Sequence, residues 1–177
     1  MDRIQVIRER LEERRERFGQ REMDHLLNEG FSECLSALAE QVEFEAATLY
    51  LILRGSKMLH RVADYNGGVN FIDRVRFDHG YGLSAWVAQK QRPIYLPDIH
   101  RGSRHGHKPI RSYLSLPIIL HDELVGVINF AHTKPHAFER TEMLLIRKFI
   151  ENLKPIIKIF YRYHGTLRYE EKDFDRR

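Results

Sequence analysis

The chain has 177 residues, of which 42% are hydrophobic and 31% charged, and its formal net charge is +4. These values are typical of one soluble globular domain with extensions, and so mild a charge permits anionic partners without requiring them. The single cysteine, Cys34, excludes an internal disulfide, a cysteine-based zinc cluster and two-cysteine redox chemistry within one chain. No apolar run approaches the roughly 20 residues that span a bilayer, and the Arg/Glu-rich start lacks a signal-peptide core, so we expect a cytoplasmic protein.

Residues 1–21 predict a charged N-terminal helix. Ile4, Ile7 and Leu11 recur at helical spacing, although Arg14 interrupts the stripe. So short a helix is marginal alone in water and needs a partner surface. Two interpretations stay open, namely a coiled coil between two chains and packing of the helix on its own domain.

A second helical region follows, in which Gly19 and Gly30 are expected to interrupt or end helical segments. The helical pattern resumes over residues 31–40, where Phe31, Cys34 and Leu35 share a face. Cys34 is therefore more simply a small core residue than a reactive thiol, because reactivity needs exposure and a lowered pKa.

The middle of the chain predicts short strands joined by glycine-containing turns. Residues 46–53 and 58–65 form two strands, residues 70–77 are a candidate third, and residues 94–96 are a short fourth. Between the third and fourth, glycines that allow positive φ precede a helix running through residues 84–90.

Two apolar runs, residues 113–120 and 124–131, flank the polar break His121-Asp122-Glu123 and predict a β-hairpin. Strict alternation would place Val125, Val127, Asn129 and Ala131 on one face of the second strand. Leu124, Gly126, Ile128 and Phe130 would then lie on the other face. Pro117 fits the first strand only at a bulge or where its missing N–H faces no neighbour.

A long amphipathic helix is predicted from about residue 140, with Pro155 either kinking it or dividing it in two. Residues 165–177 read as a polar tail. Before the hairpin, residues 100–111 have no hydrophobic period and form a basic loop, and loops held by a rigid sheet often carry binding groups.

In this order, several stretches resemble the motifs of GAF domains, over roughly residues 22–160. They are residues 47–53 (ATLYLIL), 80–88 (GYGLSAWVA), 92–98 (RPIYLPD), 110–118 (IRSYLSLPI), 123–130 (ELVGVINF) and 138–142 (FERTE).

The resemblance implies an α+β fold with a profilin- or PAS-like central antiparallel sheet, with the N- and C-terminal helices packed on one face. The expected organisation is a helix for dimerisation or signalling at residues 1–21, a GAF-like domain at 22–164 and a tail at 165–177. The resemblance also implies a ligand pocket beside the sheet and homodimers formed through the first and last helices.

From the loop and the implied pocket we predict a signalling module that binds a small anionic molecule, since arginine presents a fork matched to phosphate or carboxylate oxygens. The predicted ligand-binding residues are Tyr81, Trp86, Asp98, His100, Arg101, Arg104, His105, His107, Arg111 and Ser112. The alternative is a ligand-free module for dimerisation or protein docking, with a pocket filled by its own side chains.

No metal site is predicted, although the H-x-H pair His105 and His107, with His100 nearby, is an alternative with imidazole ligands. The sequence does not identify a cofactor, and no membrane partner is expected. No nucleic-acid partner is expected either, because the Arg-rich first helix carries nearly balancing Glu.

The chain also departs from several kinds of GAF domain. The signature of cyclic-nucleotide GAF domains and a pocket cysteine for bilin attachment are both absent. The cysteines of GAF-type free-methionine-sulfoxide reductases are missing too, and no catalytic constellation is visible, so we expect no enzymatic activity. The downstream signalling protein stays unidentified.

Overall fold

The computed structural model describes residues 3–14, 19–53, 57–67, 74–76, 82–100 and 109–164. Its elements in chain order are α1 (Arg3–Arg14), α2 (Gln20–Ala39), β1 (Ala46–Ile52), β2 (Met58–Tyr65), β3 (Arg74–Arg76), α3 (Leu83–Lys90), β4 (Ile94–Leu96), β5 (Ser112–Leu120), β6 (Glu123–His132) and α4 (Arg140–His164). No described helix has the length and apolar character needed to cross a bilayer.

The six strands found among the described residues form one sheet in the order β3-β2-β1-β6-β5-β4, and every neighbouring pair is antiparallel. The predicted hairpin is confirmed as β5 and β6, which meet at the pair Leu120 and Glu123. His121 and Asp122 form its two-residue turn with φ of +50° and +62°, the left-handed conformation that suits the twist of a tight hairpin. Within the predicted third strand, only Arg74–Arg76 is strand among the described residues.

One face of the sheet carries helices α1, α2 and α4, and the main hydrophobic core lies between these two layers. The sheet contributes alternate residues such as Leu49, Leu114 and Phe130, as expected where one strand face is buried. From the helices, Phe31 and Phe160 meet with ring centroids 6.1 Å apart. The predicted α+β fold with both terminal helices on one face is therefore confirmed.

Helix α1 packs on its own domain. Ile4, Ile7 and Leu11 are all buried in the main core. The expectation that Gly30 interrupts the second helix is wrong, because α2 runs unbroken through it. A Cβ at Gly30 would lie 3.2 Å from Ile7, so the missing side chain lets α1 approach α2 closely. The apolar stripe that suggested a coiled coil is thus already used within one chain.

Helix α4 continues through Pro155, so the proline does not divide it. Near its end the buried Tyr161 hydroxyl lies 3.0 Å from the carbonyl oxygen of Ile52 in β1 and 2.7 Å from that of Val125 in β6. Burial raises the pKa of this hydroxyl above its ordinary value. The contact fixes the last helix to two central strands.

The predicted faces of Leu124 and Val125 are wrong, because the β5–β6 ladder contains a bulge. The register shifts between Ile118 and Ile119, and Val125 lies in the helix-side core while Leu124 lies on the opposite face. Strict alternation had placed the two residues the other way round. A bulge adds one residue to a strand and so reverses the facing beyond it. Pro117 is tolerated in β5 because β4 pairs only as far as Ser115.

Gly126 is required by the close approach of β1 and β6. A Cβ there would lie 2.3 Å from the carbonyl oxygen of Tyr50, which is backbone and cannot move aside cheaply. We expect Gly126→Ala to lower the free energy of unfolding by about 1–3 kcal/mol or more, measured by urea denaturation. Gly19→Ala is the control, because its Cβ would have only Glu22 nearby, at 4.0 Å, and should cost less than about 1 kcal/mol. Equal losses in the two variants would contradict this account.

Tyr161→Phe should lower the free energy of unfolding by about 1–3 kcal/mol at pH 7, because buried carbonyl oxygens lose their hydrogen-bond donor. The folded pKa of Tyr161 lies above the unfolded one, so the unfolded state loses its proton first as the pH rises. Wild-type stability should therefore fall above about pH 10, and Tyr161→Phe should lack that part of the loss.

Tyr65→Phe is the matched control, since the described residues give the Tyr65 hydroxyl no hydrogen-bond partner. Chemical denaturation at pH 7 and at pH 10.5 measures both effects. A Tyr161→Phe variant as stable as Tyr65→Phe at both pH values would show that the hydroxyl contributes nothing.

Candidate functional site

A row of polar residues crosses the sheet on the face opposite the main core. The strand register aligns Asp64 with Thr48, Thr48 with Asn129, and Asn129 with Ser115. Thr48, Ser115 and Asn129 are fully buried. Burying polar groups is unfavourable unless they are hydrogen-bonded, so their presence in otherwise apolar strands needs an explanation.

Part of that explanation is helix α3, which lies over this face. The Ser115 hydroxyl donates to Oδ1 of Asn129 at 2.6 Å, and Nδ2 of Asn129 donates to Oγ of Ser84 at 2.9 Å. Ser84 is in the first turn of α3. Gly82, which precedes the helix, has φ of +88°, so the positive φ predicted for a glycine at this position is confirmed. The trio Ser84, Asn129 and Ser115 thus connects the start of α3 to the two central hairpin strands.

Apolar residues border this polar trio on two sides. On one side Tyr50 and Val127 of the sheet pack with Val87 and Ala88 of α3. On the other side a separate cluster is built around Tyr113 and Ala131, with partly buried residues packed against it. Those residues are Ala46, Ile94, Leu96, Ile99 and Ile110. Polar groups of fixed orientation inside an apolar surround are the arrangement typical of small-molecule sites.

A charged pair lies further along the same face, on β2. Arg61 and Asp64 form an ion pair of 3.3 Å, and their side chains are 29% and 35% exposed. The pair therefore places both charge signs at the more exposed end of the polar row.

The two ends of the basic loop are fastened together by charge. Arg111 donates from Nε and Nη2 to Oδ1 of Asp98, at 2.9 and 2.6 Å, and His100 lies 3.2 Å from the other carboxylate oxygen. The backbone adds a hydrogen bond of 2.7 Å from Ile99 to Arg111. The hydrogen bond from Arg111 lowers the pKa of Asp98 below its ordinary value. We call Asp98, His100 and Arg111 the loop clasp.

A model of the GAF domain matches residues 24–157, most of the chain. The chain belongs to the GAF domain family. The match begins inside α2 and ends inside α4, so it includes the whole sheet, α3 and the polar row.

Solved structures similar to this GAF domain share its fold at low sequence identity. The GAF domain from an Acinetobacter phosphoenolpyruvate-protein phosphotransferase is 14% identical, with a TM-score of 0.64 and 96% of each chain covered. The corresponding domain from Coxiella burnetii is 20% identical, with a TM-score of 0.62, covering 93% of this chain and 97% of that one. No curated protein sequence matches the chain significantly.

Enzymes also share the fold. The type II free methionine-R-sulfoxide reductase from Thermoplasma acidophilum is 15% identical, with a TM-score of 0.63, covering 81% of this chain and 99% of that one. In the present GAF domain the single thiol, Cys34, is fully buried in α2 within the helix-side core. The sheet separates it from the polar row. The absence of enzymatic activity stays a prediction.

The structure brings together three of the predicted ligand-binding residues, Asp98, His100 and Arg111, as the loop clasp. Trp86 is 37% exposed on α3, apart from the polar trio's hydrogen bonds. Ser112 is fully buried and pairs with His132 in the strand register. It lies on the same face of β5 as Leu114, which is the face toward the helices. The remaining predicted residues, Tyr81, Arg101, Arg104, His105 and His107, lie outside the described residues.

The metal alternative gains no support from the part of the chain that the structure describes, in which no three His, Cys, Asp or Glu side chains are arranged to hold a metal ion. Of its residues only His100 is described, and its side chain is 82% exposed beside Asp98.

The polar row was missed because its members are ordinary residues in apolar strands. Asn129 is the signal that could have found it, since a carboxamide inside the run VGVINFA would be costly without a buried partner.

The loop clasp makes a testable prediction about Asp98. An NMR titration of its carboxyl should give a pKa below its ordinary value, and Arg111→Gln should raise that pKa toward the ordinary value. Because the unfolded state binds this proton first as the pH falls, the clasp's stabilisation is present above about pH 4 and is lost below it. Arg147→Gln, an exposed arginine on α4, removes the same charge elsewhere and should leave the Asp98 titration unchanged. If Asp98 had the same pKa in both variants, Arg111 would not be the cause of the lowered pKa.

Proposed function

We propose that this GAF domain is a signalling module that binds a small anionic molecule on the α3 side of the sheet. The observation that carries the proposal is the buried trio Ser84, Asn129 and Ser115, which fixes polar groups inside an apolar surround. Asn129 is fully buried and is oriented by two hydroxyls. Preorganised polar groups of this kind are suited to a ligand that must be held in one orientation.

The anionic class of ligand is supported by charge near the proposed site. Arg61 lies on the same face of the sheet as the polar row, and the loop clasp anchors a segment rich in arginine and histidine. Arg111 itself is held by Asp98, so in this proposal its role is to anchor the loop. Direct contact with the anion then falls to other cations, with Arg101 and Arg104 as the first candidates.

Signalling requires that the ligand discriminates between two arrangements of the domain. We propose that those arrangements differ in the terminal helices, with residues 1–21 and α4 forming a homodimer. Val6 of α1 and Leu144 of α4 are 46% and 60% exposed, which leaves apolar side chains for a second copy. A downstream protein would then respond to the helix arrangement.

A ligand-free module for dimerisation or protein docking is the second candidate, and one observation favours it. The trio hydrogen-bonds within itself and its residues are at most 4% exposed, which is also what a structural connection between α3 and the sheet requires. In that case the trio fixes α3 to the sheet, and the protein's own side chains fill the α3 side of the sheet in place of a ligand.

Native mass spectrometry of freshly purified protein tests the first proposal, because it reports dimer mass and bound small molecules together. We expect the wild type and the control Ser36→Ala to carry the same bound mass. Ser115→Ala should lower its occupancy about tenfold, since it removes one buried hydrogen bond from the site. Ser36 is a fair control because it is an exposed serine whose hydroxyl donates only to its own helix.

Metal analysis of the same sample tests the histidine alternative. A dimer without any bound mass, and without a thermal shift on adding small phosphates or carboxylates, would overturn ligand binding in favour of the second candidate. A monomer that carries the small molecule would overturn only the dimer.

A further inference from the structure

A histidine and two glutamates meet where β6 ends and the chain approaches β1. The His132 side chain is only 8% exposed, whereas those of Glu43 and Glu45 are 74% and 49% exposed. Glu43 lies 3.5 Å from Nε2 of His132 and Glu45 lies 3.6 Å from Nδ1. The imidazole therefore has a carboxylate beside each ring nitrogen, at distances longer than a good hydrogen bond.

The protonation state of His132 follows from its best hydrogen bond. The backbone N–H of Lys134 donates to Nδ1 at 2.8 Å. An amide N–H can only donate, so Nδ1 carries no proton in this arrangement. A neutral imidazole then carries its proton on Nε2, which faces Glu43.

Glu45 holds the neighbouring residue in the same way. The Thr133 hydroxyl donates to one carboxylate oxygen of Glu45 at 2.6 Å, and the Thr133 backbone N–H donates to the other at 3.3 Å. The Glu45 backbone is fixed in turn, because its N–H donates to Ala131 and its carbonyl accepts from Asn66. Residues 133 and 134 are thus attached to the domain by Glu45 and neutral His132 together.

We propose that His132 is a protonation-sensitive latch for the segment that leads from β6 into α4. A proton on Nδ1 replaces an acceptor by a donor, so the Lys134 N–H loses its partner. The new N–H lies 3.6 Å from Glu45, which attracts it and competes with Thr133 for the same carboxylate. The histidine and the glutamate then bind each other, and the segment is released.

Three other groups lie close enough to His132 to affect its neutral and protonated forms. Lys134 lies 3.8 Å from Glu43, so its ammonium offsets part of the attraction between Glu43 and a protonated imidazole. Ser112 faces His132 across the β5–β6 pair, and its buried hydroxyl has no hydrogen-bond partner among the described residues. Arg111 contributes its backbone N–H to the His132 carbonyl, while its guanidinium is neutralised by Asp98.

Release of this segment would affect two functional parts of the domain. The segment continues to His136, whose N–H donates to the carbonyl of Pro97 at 2.7 Å, next to the loop clasp. It then enters α4 at Arg140. The latch thus acts at the junction of the loop and the last helix, and it does not depend on any ligand.

Amide hydrogen exchange between pH 8 and pH 5.5, the range in which histidine charge ordinarily changes, tests the latch in the full-length protein. The protection factor of the Lys134 amide, corrected for the intrinsic exchange rate at each pH, should fall about tenfold toward pH 5.5 in the wild type. In His132→Asn the amide oxygen replaces Nδ1 as a non-titrating acceptor, so the protection factor should stay constant with pH.

His121→Asn is the matched control, because His121 is exposed in the hairpin turn and its φ of +50° suits asparagine. It should retain the wild-type pH dependence. A Lys134 protection factor that is constant in the wild type, or that falls equally in His132→Asn, would overturn the latch. If His132→Asn does not fold, imidazole ¹⁵N shifts of the wild type decide the question, and a proton on Nδ1 in the neutral form would refute the proposal.

Discussion

The contact between β1 and β6 at Gly126 is the constraint on which the rest of the structure depends. The two strands are far apart in sequence, yet Gly126 lies so close to the Tyr50 backbone that no side chain fits between them. Tyr161 then reaches from α4 to the carbonyl oxygens of Ile52 and Val125, one on each strand. The last helix is thereby tied to the centre of the sheet.

This central pairing divides the domain into two faces with different chemistry. The helix side is filled almost entirely by aliphatic and aromatic residues, which stabilise the fold through burial. The α3 side instead accepts polar residues, with Asn129 held between Ser84 and Ser115. Hydrophobic burial needs no particular geometry, whereas hydrogen bonds in a low-dielectric interior do, so orientation-dependent recognition is favoured on the second face.

The sequence predicted the fold well because hydrophobic periodicity and turn residues are local signals. The β5–β6 hairpin, the glycine before α3 and the amphipathic α4 all follow from neighbouring residues. Gly30 and Val125 were misjudged because their roles depend on a distant helix and on a bulge, which no local pattern reports. The polar row was missed for the same reason, since Thr48, Asn129 and Ser115 become neighbours only through strand register. Arg111 was predicted as an anion ligand from its charge and its place in the basic loop, whereas its pairing with Asp98 is visible only in the folded structure.

The polar row and the latch lie on one strand, β6, which leads into α4. Asn129 belongs to the polar row and His132 to the latch, and only two residues of one strand separate them. The strand is paired on both sides, so its backbone is held in place between the two residues. Directly beyond His132, Thr133 and Lys134 have no strand partner among the described residues and are attached by the side chains of Glu45 and His132. A fold that ends its central strand in such an attachment places hydrogen bonds that depend on a histidine directly before its last helix.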